Sequence, residues 1–380
     1  MHVEVLGGGP AGLTLAILLK RHDPAHTVRV VERGSRGATW GFGVVFSDRA
    51  LDFLRADAPE LHGLLTPRMQ SWQDLTIVHG DTRVPIGGNG FASIGRLELL
   101  DALQREAERL GVELAFEQPA ADVRELGQAD LWVAADGAFS ASREARAAGL
   151  GTTVDWRHNR FVWYGTTRAF DTLTLTFRAH RLGVFCAHHY RYAGDRSTFL
   201  VEVDEATYQR AGFETMSEAD SLRLCEEVFA PDLQGHALLS NRSTWRRFPV
   251  IWNERFFDGR VVLLGDALRT VHFSIGSGTR LAMEDAIALA KALRECGPER
   301  IDDALAQFQR ERLPPMKKIW DAANVSLRWY EGMGAMMALD PHEFAYRYMT
   351  RSGRVDHAEM RRRDPTLAQA YERLHPGRFG

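Results

Sequence analysis

His2-Val-Glu-Val-Leu6, then Gly7-Gly8-Gly9-Pro10-Ala11-Gly12, then Leu13-Thr-Leu-Ala-Ile-Leu-Leu-Lys-Arg21 open the chain, and their order decides the fold. The first run is short, apolar and β-capable, the second is a glycine turn, and the third has helical apolar spacing. Val28 to Glu32 is a further β-branched run, so the stretch from His2 to Glu32 forms one βαβ unit, expected to be right-handed. Gly7, Gly9 and Gly12 give G-x-G-x-x-G, and Glu32 follows Gly12 at the spacing of a ribose-binding acid. The first glycine permits the tight turn, the second admits a pyrophosphate against the backbone, and the third lets helix and strand pack closely. Free amides at the helix N-terminus then favour the phosphate charge. With Arg33 beside Glu32, this stretch predicts a dinucleotide site and leaves open which dinucleotide.

Outward from it, a helix begins near Arg96 with Leu97, Leu99, Leu100 and Leu103, and Leu131 to Ala135 is a buried-type strand ending at Asp136-Gly137. From about 155 to 250 the runs turn short, aromatic and β-branched: Phe161-Val-Trp-Tyr, Leu173-Thr-Leu-Thr-Phe, Gly183-Val-Phe-Cys-Ala, Ser197-Thr-Phe-Leu-Val-Glu. That texture is an antiparallel sheet. Val261-Val-Leu-Leu then Gly265-Asp266 restores the parallel-type signal, and a helical pattern runs from Thr279 to Leu293. The predicted organisation is α/β: a Rossmann-like nucleotide domain in two parts (1–150 and 256–310), an inserted β-sheet substrate domain (151–255) and a C-terminal helical region (311–380).

A net charge of -3 gives no reason to expect nucleic acid or an anionic membrane as partner. No stretch approaches the roughly 20 apolar residues of a membrane span. Cys186, Cys225 and Cys296 match neither a disulfide framework nor a metal spacing, so no metal is expected and the cytoplasm is the expected location. No pattern sets an oligomeric state.

Two later motifs follow the glycine loop in fixed order: Asp136-Gly137-Ala-Phe-Ser140-Ala-Ser-Arg143 and Gly265-Asp266-Ala267. The set resembles the single-component flavoprotein aromatic hydroxylases of the p-hydroxybenzoate hydroxylase fold. The resemblance implies FAD as cofactor, NAD(P)H as transient reductant and O2 as co-substrate. It implies hydroxylation of an electron-rich ring through a flavin C4a-hydroperoxide. In that family the D-G stretch borders the flavin and is linked to NAD(P)H binding, roles that fall on Asp136, Gly137 and Arg143. The G-D aspartate holds a ribityl hydroxyl, a role that falls on Asp266. Arg96 resembles the arginine that reaches the pyrophosphate. Gly43, with Val44 and Val45 after it, is expected against the isoalloxazine, and Gly276, Gly278 and Thr279 open a helix whose amides would face the flavin's N1–C2=O edge.

Longer stretches are similar to one branch, the hydroxylases of salicyloyl-CoA and 2-aminobenzoyl-CoA, and to an indole hydroxylase of the violacein pathway. They are Gly41-Phe-Gly43-Val-Val-Phe-Ser47-Asp48, Phe161-Val-Trp163-Tyr164-Gly165-Thr166, Ala187-His188-His189-Tyr190-Arg191-Tyr192, Ser197-Thr-Phe-Leu-Val-Glu202 and His272-Phe-Ser-Ile-Gly276-Ser-Gly-Thr279. The resemblance reaches to about residue 365. Arg269 stands where the branch usually has histidine, and Phe273 where the wider family usually has proline. The implied substrate is a small aromatic molecule, CoA-linked or, alternatively, an indole or other natural-product intermediate. A flavin oxidoreductase that incorporates no oxygen is a further alternative.

Triplet O2 does not attack a closed-shell ring, so the chemistry belongs to the cofactor and the chain supplies positioning, dryness and proton handling. His272, His188 and Tyr190 are the candidate catalytic groups, because histidine changes charge near neutral pH and tyrosine can donate to a phenol oxygen. Trp163 and Tyr164 read as core or pocket lining, and Arg361-Arg362-Arg363 as a solvated helix face.

Overall fold

The structure, a computed structural model, describes residues 1–377. The first sheet has strand order β16(Phe257–Asp258), β17(Val261–Leu263), β9(Leu131–Ala134), β1(His2–Leu6), β2(Thr27–Val31), β8(Glu113–Ala115). All its pairings are parallel except β16 with β17. The central β1 is flanked by β2 through Val3↔Val28 and by β9 through Val3↔Leu131. Val3 and Val5 are wholly buried, as a strand covered on both faces requires. Their cover includes residues of helices Pro10–His22, Arg96–Arg109, Gly278–Cys296 and the first half of Ile301–Glu331. The sheet is discontinuous in sequence, for β17 lies beside β9 while the chain from Thr152 to Asn253, which builds most of a second sheet, runs between them.

That second, larger sheet has the order β14(Leu238–Leu239), β10(Thr152–Thr166), β13(Arg196–Val203), β12(Gly183–Ala193), β11(Leu173–His180), β5(Leu75–His79), β6(Thr82–Ile86), with β15(Arg246–Asn253) also on β10. The sequence places this sheet within 151–255, yet β5 and β6 come from well before it. β5 joins β11 in parallel, Leu75↔Leu173. All of β5 is buried, and a helix-and-strand reading of the chain up to Leu150 gives no reason to separate it from the nucleotide layer. A third, small sheet orders β3(Gly43–Ser47), β7(Phe91–Gly95), β4(Gln70–Trp72).

Strand alternation splits the second sheet into two faces. Val162, Tyr164, Phe185, Ala187, Phe199 and Val201 point to one side, into a core shared with helices Glu205–Ala211 and Glu218–Val228. Phe161, Trp163, His188, Tyr190, Leu200 and Glu202 alternate with these and point to the other. Farther along, Leu75, Ile77, Leu175 and Phe177 bury against the C-terminal helices Pro341–Thr350, His357–Arg363 and Pro365–Leu374. The basic run there is neutralised by pairing, Arg361 to Glu372 at 2.6 Å and Arg363 to Glu359 at 2.5 Å, with Arg362 also on Glu359. Among the described residues no helix is long and apolar enough to cross a membrane.

Candidate active site

The glycine loop shows three different steric demands. Gly7 has φ +113°, and a Cβ there would lie 2.2 Å from the Ala135 oxygen. A Cβ on Gly12 would lie 2.3 Å from the Gly7 oxygen and 3.0 Å from Val5 Cγ1. Gly9 meets nothing within 4 Å, so its open face is kept for something other than protein. Glu32 accepts from the Gly8 amide at 2.9 Å and the Gly34 amide at 2.8 Å, which fixes the carboxylate at the strand end. Arg33 is exposed beside it.

The three motifs converge. Gly7 packs on Ala135, just before Asp136-Gly137. A Cβ built on Gly265 would lie 3.3 Å from the Ala11 Cβ. Arg143, almost wholly buried, donates to the Ala138 oxygen at 2.9 Å and to the Ala267 oxygen at 3.4 Å, tying the D-G turn to the G-D-A loop. Asp136 has a buried Oδ1 without a protein partner, and burial raises its pKa. Gly137 has φ +84° and open space around it. Asp266 stays exposed although protein crowds it on all sides; burial raises its pKa, opposed by the positive charges of Arg269 and Arg96. An exposed carboxylate so enclosed lines a deep cleft. Arg96 lines it too, its Nε donating to Thr39 Oγ1 at 2.9 Å, its pKa lowered by burial against the attraction of Asp266 and Tyr190.

The cleft's roof is an interlock between the small sheet and the large one. A Cβ on Gly43 would lie 2.6 Å from the Tyr192 Cβ, one on Gly41 2.9 Å from Trp163, and one on Gly165 2.5 Å from Phe42. Thr198 Oγ1 accepts from the Gly43 amide at 2.9 Å, and Tyr190 donates its hydroxyl to the Gly43 oxygen at 2.8 Å. Tyr190 is therefore committed to a backbone clasp, stacked on Trp72, with its pKa raised by burial. Alternation turns Val44 into the core of the nucleotide layer, so of the two valines expected at the flavin it is Val45 that faces the loop before helix Gly278–Cys296, 3.2 Å from the Cβ position of Gly276. Gly276 has φ +58°, and the helix opens at Gly278 and Thr279, whose amides lie in the unpaired first turn.

His188 and His272 come together on a residue that the sequence reading did not single out. Glu202, fully buried, has one oxygen 3.4 Å from His188 Nε2 and the other 3.9 Å from His272 Nε2. Asn159 donates to it at 2.8 Å. Burial raises the Glu202 pKa, but the nearby His188 and His272 rings and the Asn159 amide outweigh it, leaving the pKa lowered and the group anionic. Burial pushes His272 down to about 4, against the attraction of Glu202, so it is neutral. Phe273 stacks edge-on to His188 at 5.2 Å and lies 5.0 Å from Phe161, and Tyr330 is 5.0 Å from His188. The adjacent His189 points the other way, between Phe170 and Phe199, as a core residue hydrogen-bonded to Thr176. Tyr164 is core as well, bonded to Ser221. The signal for Glu202 was its position, an acid inside an otherwise apolar strand. Arg269 lies beneath the G-D-A loop, paired with buried Asp285 at 2.7 Å, which Arg312 also contacts at 2.8 Å.

The donor set fits FAD: a glycine face left open for phosphates, an acid at the end of the second strand, an enclosed aspartate and arginine, and a helix N-terminus beside an aromatic wall. Fold and site together define a flavin-dependent oxygenase of the aromatic hydroxylase type. A family model described as an FAD binding domain matches residues 1–323, and the chain belongs to that family. It is 39% identical over 363 residues to salicyloyl-CoA 5-hydroxylase of a Streptomyces species, covering 93% of this chain and 70% of that protein. It is 36% identical over 362 residues to protodeoxyviolaceinate monooxygenase of Chromobacterium violaceum, covering 92% and 94%. Among solved structures, tetrameric 2-methyl-3-hydroxypyridine-5-carboxylic acid oxygenase aligns with a TM-score of 0.71 at 19% identity, covering 95% of this chain and 97% of that one, a likeness of fold. The protein is an FAD-dependent aromatic monooxygenase that takes electrons from NAD(P)H.

Proposed function

We propose that the chain hydroxylates an electron-rich ring presented as an aryl-CoA thioester, with salicyloyl-CoA or 2-aminobenzoyl-CoA as the first substrates to test. The observation that carries this is the buried His188–Glu202–His272 group, set in an aromatic wall beside the cofactor cleft. The likeness to the salicyloyl-CoA enzyme supports the choice of ring and thioester. FAD, when bound and reduced by NAD(P)H, supplies the activation of O2. The side chains do the rest. The amides around Gly9 and Arg96 would hold the pyrophosphate, Glu32 the adenosine ribose, and Asp266 a ribityl hydroxyl. Asp136 and Gly137 would border the flavin, with Val45 and Gly43 as its wall and the Gly278 and Thr279 amides opposite its negatively charged edge.

His188 would face the ring hydroxyl or amine, with anionic Glu202 behind it drawing the proton away as the ring donates electrons, and His272 would line the same wall on the other side of Glu202. Phe161, Phe273 and Trp163 would keep water out. The three free cysteines fit a reducing, cytoplasmic setting. The test is NAD(P)H oxidation with salicyloyl-CoA, 2-aminobenzoyl-CoA, free salicylate, anthranilate and indoles, scored by 18O2 incorporation into product. Label in a thioester product and none from the free acids is expected. Turnover of an indole alone would transfer the assignment to the violacein-type substrate class that the second relative suggests. Reductant consumed without label in any product would reject both.

A further inference from the structure

Behind His272 runs a chain of hydroxyls that no part of the hydroxylation chemistry yet uses. Its Nδ1 is 2.9 Å from Ser274 Oγ, Ser274 Oγ is 2.9 Å from Ser326 Oγ, and Arg351 Nε donates to Ser326 Oγ at 2.8 Å. Arg351 also donates to the Ser274 backbone oxygen at 2.9 Å and to the Tyr348 oxygen at 2.6 Å, so its guanidinium is held in place. The links come from distant elements: Ser274 from the single turn Phe273–Ile275, Ser326 from helix Ile301–Glu331, and Arg351 from the end of helix Pro341–Thr350. His272 and Ser326 are almost wholly buried, and Ser274 is buried as well.

Each donor and acceptor in this chain can be assigned. A guanidinium only donates, so Ser326 accepts from Arg351. The Ser326 proton then has one side-chain acceptor within reach among the described residues, Ser274 Oγ. Ser274, having accepted, must send its own proton to His272 Nδ1. Nδ1 is thus an acceptor, and in a neutral imidazole the hydrogen must sit on Nε2, the nitrogen 3.9 Å from Glu202. Running the chain in reverse would point two donors at Ser326, leave its proton without a partner, and set a bare Nε2 lone pair against a carboxylate. Leaving one buried hydroxyl unsatisfied costs about 1–3 kcal/mol. Both ends of the chain select the same direction.

We infer that Arg351 is a positioning residue that, through Ser326 and Ser274, holds His272 as the neutral tautomer protonated at Nε2 and turned to Glu202. The arrangement keeps an N–H, not a lone pair, on the side of His272 nearest the carboxylate. It also closes the opposite side to proton traffic, because a chain that ends on a guanidinium has no base at its far end to receive a proton. Protons leaving the ring would then have Glu202 and His188 as their route.

The tautomer can be read without turnover. In the FAD-loaded full chain labelled with [15N]histidine, the His272 signals are identified by their loss in His272→Gln. At neutral pH, Nε2 is expected to be pyrrole-like and Nδ1 pyridine-like. A protonated Nδ1, alone or with Nε2, overturns the inference. Arg351→Met is expected to release the lock, so that an Nδ1-protonated population appears, and to lower kcat on salicyloyl-CoA by about 10- to 100-fold with KM within about twofold. Ser326→Ala is expected to act in the same way, while Arg351→Lys and Ser326→Thr, which keep a donor, should restore the wild-type spectrum. An unchanged spectrum in both Arg351→Met and Ser326→Ala would mean that Glu202 alone sets the tautomer, and would overturn the role of Arg351. The kcat arm rests on the substrate reading above and the spectroscopic arm does not, so a wrong substrate and a wrong tautomer give different failures.

Discussion

Gly9 and Gly12 lie one turn apart and make opposite predictions. The backbone of Gly9 is ordinary extended chain at φ -82°, with nothing near its Cβ position. Gly9→Ala should leave the melting temperature of the flavin-free protein unchanged within about 1 °C, yet weaken FAD binding, measured by fluorescence titration, by at least about tenfold (about 1.4 kcal/mol). Gly12→Ala drives a methyl into the Gly7 carbonyl and should destabilise the protein before any cofactor is added. Equal affinity for FAD in Gly9→Ala and wild type would remove the pyrophosphate from that face. Asp266→Ala, at the enclosed carboxylate, should purify with less flavin; full retention would refute its role. These residues were legible in the sequence because their demands are local, each set by a turn and its next few neighbours. Glu202 was not, since its meaning comes from His188 on the neighbouring strand and His272 on a loop far along the chain, brought together only by the fold.

At the scale of elements, the clasp of Tyr190 and Thr198 on Gly43 ties the large sheet to the small one. Tyr190→Phe keeps the ring on Trp72 and removes one buried hydrogen bond, a loss of about 1 kcal/mol. An unfolding free energy lowered by that amount in urea titration, with hydroxylation still coupled to NAD(P)H oxidation, is the expected outcome. A collapse of kcat at unchanged stability would instead return Tyr190 to the catalytic role that its sequence context suggested. Fold class, the glycine turn, the helix from Arg96 and the aromatic texture after 155 could all be read from periodicity and turn residues. The membership of β5 and β6 in the large sheet could not, because a short buried strand carries no mark of which sheet it joins.

For the molecule as a whole, stability should depend on acidity through its buried imidazoles. His272 is held down to about 4 and His189 well below its usual value, burial being the first cause for both. Glu202, His188, Arg351 and Arg157 are the charged or titratable groups that act on His272. Between about pH 6.5 and 4 the unfolded chain takes up a proton at this position and the folded one does not. Stability from this group is therefore complete above pH 6.5 and lost as pH falls, by up to about 1.4 kcal/mol per pH unit. His272→Gln should flatten the fall of the melting temperature between pH 6.5 and 4.5; a slope equal to wild type would show that the ring is already charged in the fold. The same variant should hydroxylate poorly or waste reductant, and wild-type rate and coupling together would end its candidacy. FAD should raise the melting temperature, with the logarithm of its free concentration once that exceeds Kd, since it can be held only where all three motifs are assembled.

That last condition has a temporal side. Ala11 meets Gly265, and Arg143 reaches Ala267, across an entire interposed sheet. A ribosome releases the glycine loop early and the G-D-A turn only after more than half of the polypeptide has emerged. During that interval the nascent βαβ unit has no partner strand on the β17 side of β9 and an incomplete grip on any nucleotide. Flavin capture is thus a late event in biogenesis, and a chain interrupted before residue 265 would be colourless however well its first domain had folded.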